Sequence, residues 1–160
     1  MLSEAQITRV WEGMLEGEMR ALYFGELVEK YQAKQRWATM ITLVASSAAF
    51  ASFVIGSIPA EVRPILTLLA SGVSAYTLVA QNSRRAIDAS DLHARWGRLA
   101  MEYQALWENV YADDAADRLR SITDREWDAS KASTSFPNDV KSLSRWQAYV
   151  QGRHLAHAGV

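Results

Sequence analysis

Two stretches without a single charge occupy the middle of the chain. No Asp, Glu, Lys or Arg occurs from Trp37 to Ala60, a run of 24 residues, or from Pro64 to Ser83, a run of 20. Only Glu61, Val62 and Arg63 separate them. As helices rising 1.5 Å per residue these runs are about 36 and 30 Å long. A bilayer's hydrocarbon core is about 30 Å thick, so each is long enough to cross once. One charge at mid-membrane costs about 2.5–3.5 kcal/mol on insertion scales, so a crossing helix requires runs of this kind. The whole-chain mean hydropathy of -0.12 averages this asymmetry away. The competing reading is a buried helical hairpin in a water-surrounded bundle. It draws on the modest apolar content of the runs, 14 of 20 residues over 37–56 and 11 of 20 over 64–83.

The flanks orient the hairpin. Lys34 and Arg36, with Lys30 before them, precede the first span, and Arg84 and Arg85 follow the second. Positive residues stay on the cytoplasmic side, so Lys34, Arg36, Arg84 and Arg85 are the expected membrane anchors and both termini are expected in the cytoplasm. The turn Ser57 to Glu61 then faces outside. The first apolar run begins far from Met1 and follows a long charged segment, which argues against a signal peptide.

The remainder reads as helix. Ser3 with Gln6 three residues on forms a capping-box pattern. Ile7, Val10, Trp11, Met14, Leu15, Leu22 and Tyr23 then recur at helical spacing, predicting an amphipathic helix from about 4 to 36 that runs into the first span. Gly13 and Gly17 make a G-x-x-x-G pair, which at this position is read as chance. After the second span, Ile87, Trp96, Leu99, Tyr103, Leu106, Val110 and Tyr111 predict a helix over about 84–111. Asp113-Asp114 start another, carrying Leu119, Ile122 and Trp127. Ser133 to Asn138, with Pro137, is the clearest break. A last helix carries Val140, Leu143, Trp146 and Val150. The expected organisation is thus an N-terminal amphipathic helix over 1–36, a transmembrane hairpin over 37–83 (spans 37–57 and 64–83), and a cytoplasmic helical regulatory or assembly region over 84–160. The fold class is an all-α membrane protein, expected to be oligomeric; its helices outside the spans have too many apolar positions to stand alone and must pack on each other or on other subunits.

Little in the sequence points to an enzyme. With no Cys, thiol nucleophiles, thiolate metal sites and disulfides are excluded. No G-x-S-x-G, H-E-x-x-H or phosphate-loop pattern occurs. His154 and His157 share a helix face but lack a carboxylate beside them, a poor zinc site and more simply a polar tail. Asp91 and His93 diverge on a helix and read as solvated surface. Asp113, Asp114 and Asp117 read as negative charge at a helix start. No cofactor, metal or catalytic residue is expected.

The spans carry polar stripes. Stepping about 100° per residue from Thr67, Ser71 falls near 40°, Ser74 near -20° and Gln81 near -40°, so the four share a stripe about 80° wide. On the first span Thr39, Thr42 and Ser46 fall within about 60° of one another. Polar groups facing lipid are costly, so such stripes face another helix or water. They either bond to helix backbone or, in an assembly of several copies, line a pore. Two helices cannot enclose an aqueous channel, so a pore requires a homo-oligomer, expected to be a tetramer or larger. Thr67, Ser71, Ser74 and Gln81 are the expected lining.

Residues 84–130 hold 7 basic and 10 acidic residues, whereas 131–160 hold 4 basic and 1 acidic. That last segment interleaves Lys141, Arg145 and Arg153 with Trp146. Cations contact phosphates and aromatic faces stack on bases, so these four are the candidate site for a nucleotide or single-stranded oligonucleotide. The plainer alternative puts Trp146 in the core and leaves the cations solvated or paired with the acidic residues of 113–128.

The layout resembles a known family. Tyr31-Gln32-Ala33-Lys34-Gln35-Arg36-Trp37 lead into the first span. Arg84-Arg85 lead out of the second, followed by Arg95-Trp96-Gly97-Arg98-Leu99-Ala100-Met101-Glu102-Tyr103 and ending near Tyr111. Over residues 25–111 this is similar to the SMODS- and SLOG-associating two-transmembrane effector family. The resemblance implies a pore-forming effector of a bacterial anti-phage defence system, in the inner (cell) membrane. It implies gating by a nucleotide signal from a partner nucleotidyltransferase, with the lipid bilayer as its other partner. A non-conducting membrane adaptor that anchors a soluble partner through residues 84–160 is the alternative.

Overall fold

The computed structural model describes residues 2–55, 64, 65, 68, 71, 72, 75 and 82–158, with backbone alone for 45, 46, 48–55, 157 and 158. All regular structure among the described residues is helical, as expected for an all-α fold. Four helices are fully bounded: α1 (Glu4–Ile55), α2 (Asn82–Trp107), α3 (Ala115–Ser133) and α4 (Val140–Ala158). No proline lies between Met1 and Ile58, so nothing in the sequence interrupts the 52-residue α1. The capping box closes: the Ser3 amide donates to Gln6 Oε1 at 2.8 Å, and the Gln6 amide to Ser3 Oγ at 3.3 Å.

The later helix ends are set by polar side chains. α2 stops at Trp107, four residues before the expected end. There Asn109 Nδ2 turns back to the Ala105 carbonyl, and the chain turns through 108–114. α3 starts at Ala115, beside the expected Asp113-Asp114, although Asp114 makes no side-chain cap bond. At its end the hydroxyls of Ser133, Thr134 and Ser135 donate to the carbonyls of Ala129, Lys131 and Ala132. Pro137 follows. Asp139 Oδ1 then accepts the amides of Lys141 and Ser142 and caps α4.

The chain forms two compact units, Met1–Leu27 with Asp88–Val160, and Val28–Ile87. The first has a core built on a three-and-four rhythm. Ala89, Leu92, Trp96, Leu99, Tyr103 and Leu106 of α2 are buried, as are Ala115, Leu119, Ile122, Glu126 and Ala129 of α3. They pack with Val10, Met14, Ala21, Phe24 and Leu27 of α1 and Val150 of α4 in that unit's interior. Gly13 and Gly17, read as chance in the sequence, are contact points. A Cβ on Gly13 would lie 2.6 Å from the Tyr103 ring, and one on Gly17 would lie 3.1 Å from Ala100 backbone. The pair lets α1 and α2 approach closely.

In the second unit Tyr31, Ala38, Asn82 and Ala86 are buried. Trp37, Met40, Ile41, Leu43, Val44, Ile65 and Leu68 are all at least 50% exposed. Among the described residues no helix is long and apolar enough to cross a membrane. The two expected spans, 37–57 and 64–83, fall mainly on residues outside those described in full.

Candidate functional site

Of the four expected pore-lining residues, Thr67, Ser74 and Gln81 lie outside the described residues. Ser71 is helical and exposed. On the first stripe, Thr42 Oγ1 donates to the Ala38 carbonyl at 2.9 Å, the back-bonding that lets a hydroxyl sit in an apolar helix. The four expected anchors, Lys34, Arg36, Arg84 and Arg85, are exposed, and Lys34 Nζ stands 5.9 Å from the Tyr31 ring centre.

The basic-aromatic tail folds onto α1. Arg145 Nη2 donates to Glu26 Oε2 at 2.5 Å and its guanidinium stacks over Trp146, 5.0 Å from the ring centre. Trp146 Nε1 donates to the same oxygen at 2.8 Å. Arg153 Nη2 pairs with Glu18, and His154 Nε2 lies 3.0 Å from the same carboxylate oxygen. Lys141 is exposed at the start of α4. Three of the four candidate ligand residues are therefore held on α1, Arg145 and Trp146 by Glu26 and Arg153 by Glu18. The acids that pair with these cations come from α1, not from the 113–128 segment that the sequence pointed to.

Sequence reasoning missed the strongest polar cluster. Glu126 is buried on the inner face of α3 and accepts two hydrogen bonds from Arg9 Nη2, both at 2.9 Å. Tyr103 Oη donates to Glu126 Oε2, one of the same two oxygens, at 2.5 Å. Burial and the donation to Glu126 push the Tyr103 phenol far above its ordinary pKa of 10.0. Burial works against the Arg9 charge, but Glu126 and Tyr103 outweigh it and raise the guanidinium's pKa. The rhythm Leu119, Ile122, Glu126, Ala129 held the signal. Trp127, grouped with Leu119 and Ile122 on the expected helix, is one step off that rhythm and 72% exposed.

His93 is exposed, as the sequence reading had it, and His154 has the Glu18 carboxylate beside it that the sequence did not show, while the side chain of His157 lies outside those described. His93 Nδ1 donates to the Ala21 carbonyl at 2.7 Å, which ties α2 to α1. His154 meets Trp11 edge-on at 5.4 Å, and Trp11 packs on Trp107 at 5.1 Å. Among the described residues no three His, Asp or Glu side chains gather closely enough to hold a metal ion.

One groove in the first unit combines open volume with charge. It lies between α2 and α3 and encloses about 320 Å³. Arg95, Arg98 and Glu102 of α2 line it, with Arg125 and Asp128 of α3. Arg95 Nε pairs with Asp91 at 2.8 Å, and Arg125 Nη1 with Glu102 Oε1 at 2.7 Å.

No protein-family model, curated protein or solved structure matches the chain.

Proposed function

We propose that the chain is an oligomeric, pore-forming membrane protein. Residues 37–83 sit in lipid, and the helices of 84–160 regulate the pore from the cytoplasm. One observation carries this reading. Around α1 from Trp37 to Val44 the large apolar side chains stand exposed in near succession, with Ala38 the buried exception. Water disfavours such a surface, and a helix apolar on most sides belongs in a protein interior or in a bilayer. In the first unit, by contrast, the apolar rhythm is turned inward. The polar stripe through Thr67, Ser71, Ser74 and Gln81 then needs an aqueous partner, which several copies supply by arranging it around a channel.

The biological setting is a proposal on the family resemblance alone: a bacterial defence effector, gated by a nucleotide or oligonucleotide from a partner nucleotidyltransferase. Any such ligand has to bind the closed and open states with different affinity. The tail site of Lys141, Arg145, Trp146 and Arg153 would take an anion by displacing Glu18 and Glu26, so binding there would be coupled to release of α4 from α1.

The test is ion flux from the purified full chain in liposomes. The reading expects flux that Ser74→Leu abolishes while the protein still inserts. Flux unchanged by Ser74→Leu removes the stripe from the pore. A tight membrane with a stably bound soluble partner replaces the pore by the anchoring role.

A further inference from the structure

We propose that the groove between α2 and α3 binds a small phosphomonoester that also carries hydrogen-bond donors. Its volume of about 320 Å³ lies within the usual range for ligand pockets, about 300–1,000 Å³. Its floor is apolar, formed by the buried Leu99. Three guanidinium groups line it, and their donors are incompletely used. Arg98 makes no ion pair or hydrogen bond among the described residues. Arg95 reaches Asp91 through Nε, so its terminal nitrogens are available. Arg125 uses Nε on the Ser121 carbonyl and Nη1 on Glu102, which leaves Nη2. Guanidinium forks match phosphate oxygens in geometry as well as charge.

The acids define the rest of the ligand. Asp91 and Glu102 are each bonded to an arginine. Asp128, exposed on α3, has no ion pair among the described residues. A carboxylate there repels a bare anion and accepts from an amine or hydroxyl. Glu102 Oε2 is buried without a hydrogen-bond partner, so its bond to Arg125 is single and Arg125 is not locked in a two-pronged pair. This arrangement contrasts with the tail, where Arg145 and Arg153 are already held by α1 carboxylates.

The inference rests on the pore reading for its biological role, as a second ligand site beside the tail, but not for its chemistry. Binding and flux therefore fail separately. The full chain in a maltoside detergent, which carries no phosphate, is titrated calorimetrically with AMP, GMP, CMP, UMP, inorganic phosphate and short-chain phosphatidylglycerol. At least one nucleoside monophosphate is expected to bind more tightly than inorganic phosphate. Arg98→Ala should weaken it at least tenfold, since a hydrogen bond to a charged group contributes about 1.5–3 kcal/mol. Asp128→Asn should weaken the nucleotide but not inorganic phosphate. Both side chains are exposed, and unchanged helix content verifies that the variants fold. No nucleotide binding, binding unaffected by Arg98→Ala, or binding of phosphatidylglycerol alone overturns the site. Nucleotide binding without flux keeps the site and sinks the pore.

Discussion

Glu126 is a carboxylate in a row of otherwise apolar positions, and its surroundings explain why it is tolerated there. A buried charge is costly unless paired and hydrogen-bonded, and Arg9 and Tyr103 supply both. Tyr103→Phe keeps the ring that packs on Gly13 and removes one bond to a charged acceptor, so a loss of about 1.5–3 kcal/mol is expected in urea unfolding. The pH dependence has a definite sign. Because folding raises the phenol's pKa, its contribution is complete below the ordinary value of 10.0 and falls as pH rises beyond it. Above about pH 10 the parent protein should therefore lose stability faster than Tyr103→Phe; parallel curves contradict the assignment. Gly13→Ala places a methyl 2.6 Å from the Tyr103 ring and should cost about 1–3 kcal/mol in the same assay, unlike Gly97→Ala, where a Cβ meets nothing within 4 Å. None of this triad was legible from composition, because its members are far apart in sequence. Its position on α3 was legible in the spacing of Leu119, Ile122 and Ala129, once the rhythm is given priority over the apolarity of Trp127.

At the scale of elements, α4 is held by two glutamates of α1. Glu26 receives Arg145 and Trp146, with Ser142 Oγ at 3.4 Å, and Glu18 receives Arg153 and His154. The arginine side chains are about half exposed, so each pair is worth less than a buried one. The double variant Glu18→Gln with Glu26→Gln should loosen α4 by about 1–2 kcal/mol, read as amide exchange about 5–30-fold faster over 140–158. Exchange in α2 and α3 should be unchanged. Equal acceleration in all helices would mean that the pairs hold the unit as a whole. Asp139→Ala removes the α4 cap and should cost about 1 kcal/mol in the same element. The helices themselves were legible: the capping box at Ser3, the break at Pro137 and the start near Asp114 all stand where the sequence put them. The partners of the tail were not. Charge counts identify a basic segment, but only the tertiary fold brings Glu18 and Glu26 beside it.

For the molecule as a whole, the contrast between the two units is the central fact. One turns a regular apolar rhythm inward and pairs the buried Glu126 with Arg9 and Tyr103. The other leaves Trp37, Met40, Ile41, Leu43 and Val44 exposed. The charge-free runs were visible in the sequence, yet sequence alone cannot distinguish a lipid-facing hairpin from one buried in protein, since both exclude charge. The proposed placement in lipid rests on the exposure of these apolar side chains. The chain has no cysteine, so single cysteines report position without background. The most direct measurement is labelling by a membrane-impermeant maleimide of Leu43→Cys, Leu68→Cys and Met101→Cys in vesicles that expose the cytoplasmic face. Cysteines at 43 and 68 are predicted to stay unlabelled until the membrane is dissolved, while 101 reacts at once. Equal labelling at all three in intact vesicles, or in protein purified without detergent, would contradict the placement of residues 37–83 in lipid.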